Sequence, residues 1–335
     1  MRKIINAPER FVDDFLGGLL QAHPDHLRPV PGFPRAIARV DPAGAGRSVG
    51  IVTGGGSGHL PLFLGYVGQG LCSAAAVGNT FSSPSVDSIV AATRAADMGL
   101  GVLYLYGNYG GDNINFDDAA DVVAEAGIET ATVRAADDVA SAPPHAARQR
   151  RGVAGLTLAF KCAGAAAASG YSLSATAEVA ARALASTRTI GVGLSPTILP
   201  EAGRPTFELP AGEMEIGIGI HGEPGVSRGP MTSADEIADT LLDAILAELE
   251  AGPGSRVAVL ANSLGATPVE ELYILYNRVG DRLRAAGVAV HSALIGRYAT
   301  SLEMAGCSLT VMVLDAELTR LLEAESYSPL LREFR

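Results

Sequence analysis

Short apolar runs of strand length alternate with helix-patterned stretches along this chain, and that alternation constrains its fold more than any other feature. "SVGIVT", "GVLYLY", "ETATVRA", "EMEIGIGI", "VAVHSALIG" and "CSLTVMVLD" read as strands, as do the starts of "TRTIGVGLSP" and "RVAVLANSLGA". Between them lie helical patterns. "PERFVDDFLGGLLQA" sets Phe11, Phe15 and Leu19 on one face, with Pro8 suited to a first turn. "SPSVDSIVAATRAADM" opens on capping residues, and "DDAADVVAEAG" closes at Gly127. Two Ala-rich helices are expected within 153–170 and 174–186. "TSADEIADTLLDAILAELE" carries Ser233 and Glu236 at capping-box spacing, Pro268 opens a helix, and "AELTRLLEAE" forms the last one. Strands separated by helices predict the α/β class with mixed sheets covered by helices. At roughly 150 residues per domain, 335 residues predict two α/β domains, 1–188 and 189–335.

The net charge of −11 excludes non-specific binding to nucleic acid or anionic membrane, since both need a basic surface. Cys72, Cys162 and Cys307 are widely spaced and show no C-x-x-C pattern, which predicts reduced thiols and a cytoplasmic protein. "MRKIINAPERFVDDF" lacks the apolar region and small-residue cleavage site of a secretion signal. "VAGLTLAFKCAGAAAASG" is interrupted by Lys161 and rich in small residues, so it predicts a buried helix and not a membrane span.

Three loops at expected strand ends carry reactive groups: His59 in "TGGGSGHLP", Asp112 in "GNYGGDNINF" and His221 in "GIGIHGEPG". The first loop is not a P-loop, because no Gly-Lys dipeptide exists in the chain. It is not a dinucleotide fingerprint either, because His59 stands at the last glycine position. Its glycines let backbone N–H groups approach a small ligand, or they simply make a tight turn. Asp112 suits a proton acceptor for a substrate hydroxyl, and equally an Asx-turn or helix cap. His221 is a competent imidazole nucleophile near neutral pH or a hydrogen-bonded structural residue, with Glu223 and Pro224 ordering its loop. Two histidines and a carboxylate match a transition-metal set by type, but no H-x-x-x-H or H-x-x-E-H spacing supports one, so no metal is expected. His23, His26, His145 and His291 lack comparable glycine loops and read as surface or structural residues.

"GGGSGHLP", "GYVGQG", "FSSPS", "GNYGGDNINF", "RRGVAG", "EMEIGIGIHGEPG" and "NSLGATPVEELY", in that order, resemble the dihydroxyacetone kinase K subunit (DhaK) family from "KIIN" to "TSLEMAG". The resemblance implies a homodimeric two-domain α/β protein that binds a short ketose. It implies that His221 adds to the ketone carbonyl as a covalent hemiaminal, and that His59 hydrogen-bonds the substrate and assists proton transfer. Asp112 then acts on the hydroxyl that receives the phosphoryl group, and Gly56, Ser57 and Gly58 line the pocket with backbone. It further implies that this chain carries no nucleotide: ATP, or a bound ADP recharged by a phosphotransferase-system protein, sits with Mg on a separate L-type subunit. The chain is then a phosphotransferase acting on an alcohol group only with that partner.

Two positions depart from the common family pattern. Leu60 stands where many members have Glu, and Gly107 stands where they have Lys. Gly107 is expected to remove a cation and open volume beside the substrate, which suits a four-carbon ketose such as erythrulose. The rival from another class is a ketose-binding regulatory paralogue, which retention of His59, Asp112 and His221 disfavours.

Overall fold

Two six-stranded sheets organise the chain. A computed structural model describes residues 3–41 and 46–331, so the outermost residues of the expected domains, 1–2 and 332–335, lie outside it. Helix α1 (Phe11–Ala22) precedes strands β1 (Leu27–Val30), β2 (Phe33–Arg39), β3 (Gly50–Ser57) and β4 (Ala74–Thr80). Helix α2 (Val86–Ala96), strand β5 (Val102–Gly107), helix α3 (Gly110–Glu125) and strand β6 (Thr130–Ala135) follow. The first sheet has the order β1-β2-β4-β3-β5-β6, with β4, β3, β5 and β6 parallel and β1 and β2 antiparallel at one edge.

Helices α4 (Leu156–Ala168) and α5 (Leu173–Ala185) lead to strands β7 (Thr187–Ser195), β8 (Glu213–Ile216) and β9 (Ser227–Pro230). Helix α6 (Ala234–Leu246), strand β10 (Arg256–Ser263), helix α7 (Val269–Ala285), strands β11 (Ala289–Gly296) and β12 (Ala305–Leu314) and helix α8 (Ala316–Glu323) complete the order. The second sheet runs β11-β10-β12-β7-β8-β9 and is antiparallel except for the β10–β11 pair.

The layers follow from which faces are apolar. Helices α2 and α3 cover one face of the first sheet through Ile89, Val90, Phe116 and Val123, while α6 and α7 cover the outer face of the second through Leu241, Ile245, Leu275 and Val279. Between the sheets, α4, α5 and α8 share one core with Leu103 and Leu105 of β5 and with Leu260 and Met312 of β10 and β12. Helix α4 is buried along its whole length from Leu156 to Ala167, in keeping with its apolar, alanine-rich sequence. Its Lys161 donates to the Ala324 carbonyl and the Ser326 hydroxyl, fastening the segment after α8. The Ser233–Glu236 capping box is present at the start of α6. No described helix is long and apolar enough to cross a membrane.

Four sequence expectations differ from the structure. The glycine run is not a loop: Gly54 and Gly55 pair with Ala76 and Val77 inside β3, and the register slips before Ser57 pairs with Thr80. Bare Cα positions here accommodate protein atoms, since a Cβ on Gly55 would overlap the Phe63 ring and one on Gly56 would stand 2.6 Å from the Ser82 nitrogen. Helix α3 starts at Gly110, so Asp112 occupies its first turn and not a loop; two weak helix formers hide that start. "EMEIGIGI" stops being a strand at Ile216, because Gly217 turns the chain at φ +81°. Strands β1, β2 and β4 have no counterpart in the sequence reading; Ala36, Ala38 and Ala74–Ala76 give them little β signature.

Gly56→Ala is expected to lower the unfolding free energy by about 1–3 kcal/mol in urea, because the backbone at Phe81 and Ser82 must retreat. Unfolding at the wild-type midpoint would show that the strand tolerates a side chain there.

Candidate functional site

The chain steps from β3 to β4 on one side and then crosses back to β5 on the other, so the carboxyl ends of these parallel strands open a crevice. His59 stands just beyond β3, Phe81 just beyond β4, and Tyr109 and Asp112 beyond β5. The second sheet closes the crevice. Its segment between β11 and β12 grips the loop after β3: Leu302 N–H donates to the Gly58 carbonyl at 2.7 Å, Thr300 N–H to the His59 carbonyl at 3.2 Å, and the Thr300 hydroxyl to the Leu60 carbonyl at 2.9 Å. The loop after β8 adds His221 from the same side.

Aromatic rings hold the two histidines. His59 stacks on Phe81 with centroids 4.7 Å apart and an interplanar angle of 8°, and meets His221 edge-on at 4.8 Å. His221 also meets Phe81 at 5.2 Å and Tyr109 at 4.9 Å, both edge-on. Among the described residues, the non-glycine positions in left-handed backbone are Phe63, Phe81 and Leu302, and all three pack on the glycines of this strand end. Such conformations cost on the order of 1–3 kcal/mol each and cluster where a site is held in shape.

Burial sets the charge states. His59 Nδ1 lies 2.8 Å from the Thr300 carbonyl, which only accepts, so Nδ1 carries the proton and Nε2 keeps a lone pair. Burial, reinforced by the charge of His221, brings the ring down to about 3, so it stays neutral at physiological pH. Its Nε2 is buried and has no protein partner. Burial also pushes the Asp112 carboxyl up to about 6, against the Ser83 hydroxyl and His221, which favour the carboxylate. Asp112 Oδ1, Tyr109 OH, Thr80 Oγ1 and Asn113 Oδ1 are likewise buried without partners. Orphaned polar atoms concentrated around one crevice mark where a polar ligand completes the hydrogen bonding.

His221 remains partly exposed, and its Nδ1 lies 3.0 Å from Glu223 Oε1. Burial pushes Glu223 up, but the His221 ring and the Arg151 charge outweigh it and hold the carboxyl at about 2. The sequence-predicted residues His59, Asp112 and His221 therefore converge. Ser57 turns its hydroxyl to the Gly78 carbonyl at 2.7 Å, leaving only its backbone for a ligand, while Gly58 faces Phe81 and Leu302. At Gly107 the expected opening is absent: a Cβ there would stand 3.1 Å from both the Tyr109 ring and the Gly152 carbonyl, so Tyr109 fills that space. Phe81, Tyr109, Ser83 and Arg151 were missed by sequence reasoning, although they lie inside the motifs "FSSPS", "GNYGGD" and "RRGVAG". Among the described residues no group of three or more His, Cys, Asp or Glu side chains is placed to hold a metal ion.

The fold and the crevice define a two-sheet α/β protein with a polar, histidine-lined crevice at the joint between its sheets. Residues 17–330 match the Dak1 domain, and the chain belongs to that family. It is 43% identical over 329 residues to the dihydroxyacetone-binding subunit DhaK of PTS-dependent dihydroxyacetone kinase 2 from Listeria innocua, covering 98% of each chain. It is 44% identical over 329 residues to a D-erythrulose kinase of Mycolicibacterium smegmatis, spanning 98% of this chain but 56% of that protein. The dihydroxyacetone kinase of C. freundii superposes with a TM-score of 0.84 at 31% identity, over 98% of this chain and 59% of that one.

The raised Asp112 implies a stability effect with a definite sign. A carboxyl that binds its proton more tightly in the folded state costs stability as pH rises from about 4 through about 6. Asp112→Asn is expected to raise the unfolding free energy at pH 7 by roughly 1–3 kcal/mol, with the gain vanishing below about pH 4. Denaturant titrations at the two pH values check this; a variant less stable at pH 7 contradicts it.

Proposed function

We propose that the chain is the substrate-binding subunit of a dihydroxyacetone (glycerone) kinase or a closely related small-ketose kinase. The observation that carries this reading is the convergence of His59 Nε2 and Asp112 Oδ1, both buried and unpartnered, on a crevice that His221 shares. Polyols such as glycerol offer no carbonyl to an imidazole, so a histidine nucleophile selects ketoses. His221 Nε2 adds to the ketone carbon and captures the sugar as a hemiaminal. His59, neutral and with its lone pair on Nε2, accepts a hydrogen bond from a substrate hydroxyl. Asp112, a carboxylate above about pH 6, takes the proton of the hydroxyl that receives the phosphoryl group.

The phosphoryl donor sits on an L-type subunit, as ATP or as ADP recharged by a phosphotransferase-system protein, with Mg. Phosphoryl transfer is mainly positioning and charge stabilisation, so two chains can share the site. The protein works as a cytoplasmic homodimer; the free, buried thiols of Cys72, Cys162 and Cys307 fit a reducing compartment.

A four-carbon ketose is the second reading, and the identity to the D-erythrulose kinase favours it. Leu60 supports it by placing an apolar side chain where many members have a carboxylate. Gly107 contributes no extra room, because Tyr109 fills its side.

With an L-type partner supplied, kcat/KM is expected to rise with pH through about 6 as Asp112 ionises, and Asp112→Asn is expected to lose about 10²–10⁴-fold of the rate together with that limb. An Asn variant at wild-type rate removes Asp112 from the chemistry. Parallel assays with dihydroxyacetone, D-erythrulose and L-erythrulose choose the substrate, and a strong preference for the three-carbon ketose overturns the second reading.

A further inference from the structure

Glu223 divides its carboxylate between two groups of His221. Oε1 lies 3.0 Å from the ring Nδ1, and Oε2 accepts the backbone N–H of His221 at 2.9 Å. Arg151 stands behind it, with Nη1 3.7 Å from Oε2. The guanidinium is anchored in turn: Nε donates to Asp138 Oδ2 at 2.9 Å and Nη2 to the Gly217 carbonyl at 3.0 Å. Asp138 follows the last strand of the first sheet, whereas Gly217 and Glu223 belong to the loop leaving β8 of the second. Arg151 thus ties the two halves of the molecule directly beneath His221.

The bare glycines of "IGIGI" acquire a reason here. A Cβ on Gly219 would overlap both Glu223 Oε2 and Arg151 Nη1. Gly219 leaves a slot, and the Glu223–Arg151 pair fills it.

We propose that Glu223, clamped by Arg151 in the slot at Gly219, is a positioning residue that fixes His221 as the Nδ1–H tautomer and keeps the Nε2 lone pair available for the ketose carbonyl. This rests on the ketose-capture reading. A carboxylate only accepts, so the nitrogen facing it must carry the proton. In the capture step the Nε2 lone pair forms the C–N bond and the carbonyl π pair moves onto oxygen. That oxygen takes a proton from the solvent while Nδ1 keeps its own, which leaves a hemiaminal whose imidazolium ring is paired with the Glu223 carboxylate. The Glu223 carboxylate offsets that imidazolium charge.

The test uses ¹⁵N-histidine-labelled protein and [2-¹³C]dihydroxyacetone, read by NMR. In the wild type, His221 is expected to show a protonated Nδ1 and an unprotonated Nε2, and the labelled carbonyl carbon to become a protein-bound tetrahedral carbon. In Glu223→Gln the backbone N–H claims the amide oxygen, the NH₂ faces Nδ1, and the proton moves to Nε2. The tautomer pattern should reverse, and adduct formation should slow by about 10²–10⁴-fold, the scale seen when a catalytic imidazole is held in the wrong tautomer. Gly219→Ala changes no ionisable group yet displaces the pair, and should slow the adduct by at least about tenfold. It carries the test alone if Glu223→Gln does not fold. An unchanged tautomer in Glu223→Gln, or wild-type adduct formation in Gly219→Ala, overturns the proposal. If the wild type forms no adduct, the ketose reading falls, and the tautomer readout still judges the role of Glu223.

Discussion

A short hydrogen-bonded seam between residues 58–60 and 300–302 makes one site out of two sheets. Through it, Gly58, His59 and Leu60 of the first sheet are bound by backbone and side-chain groups of Thr300 and Leu302 from the second. The same seam decides the chemistry of His59, because the Thr300 carbonyl selects which ring nitrogen keeps a lone pair. Without that contact the crevice at the ends of β3, β4 and β5 would have no second wall. Arg151 repeats the logic on the other side of His221, spanning from Asp138 to the Gly217 carbonyl.

Competition between burial and specific partners explains how a histidine, an aspartate and a glutamate share so little space in different charge states. At Asp112, burial prevails over the favourable helix N-terminus and the neighbouring hydroxyl, leaving a carboxyl poised near neutrality. At Glu223, burial loses to a ring N–H and a guanidinium, leaving a permanent carboxylate. At His59, burial outweighs the Thr300 carbonyl and the Glu223 charge, and the ring stays neutral. One residue is suited to proton transfer, one to holding charge, and one to accepting a hydrogen bond.

Much of this was legible in the sequence where local pattern and tertiary role agree. The apolar runs of β3, β5, β10 and β12 are buried strands, and His59, Asp112 and His221 announce themselves by following such runs or a glycine-rich segment. Legibility failed where a residue serves a distant neighbour. Gly54–Gly56 read as a ligand-approach loop or tight turn but are strand positions on which Phe116, Phe63 and the Phe81–Ser82 backbone pack. Alanines of β2 and β4 carry no strand signature because α2 presses against them and leaves no room for larger side chains. The importance of Glu223 depends on Arg151 and Gly219, and the Glu–Arg partnership crosses from one sheet to the other. Tyr109 occupies the volume that the glycine at 107 seemed, from its residue type, to vacate.

The central claim is that His221, aided by a neutral His59 and an ionisable Asp112, captures a small ketose at the joint between the sheets. A crystal structure of the protein soaked in dihydroxyacetone tests it most directly. The account predicts continuous density from His221 Nε2 to the central carbon of the ketose, with a terminal hydroxyl against Asp112. A crevice without ketose at saturating concentration, or a ketose bound there with no bond to His221, would contradict it.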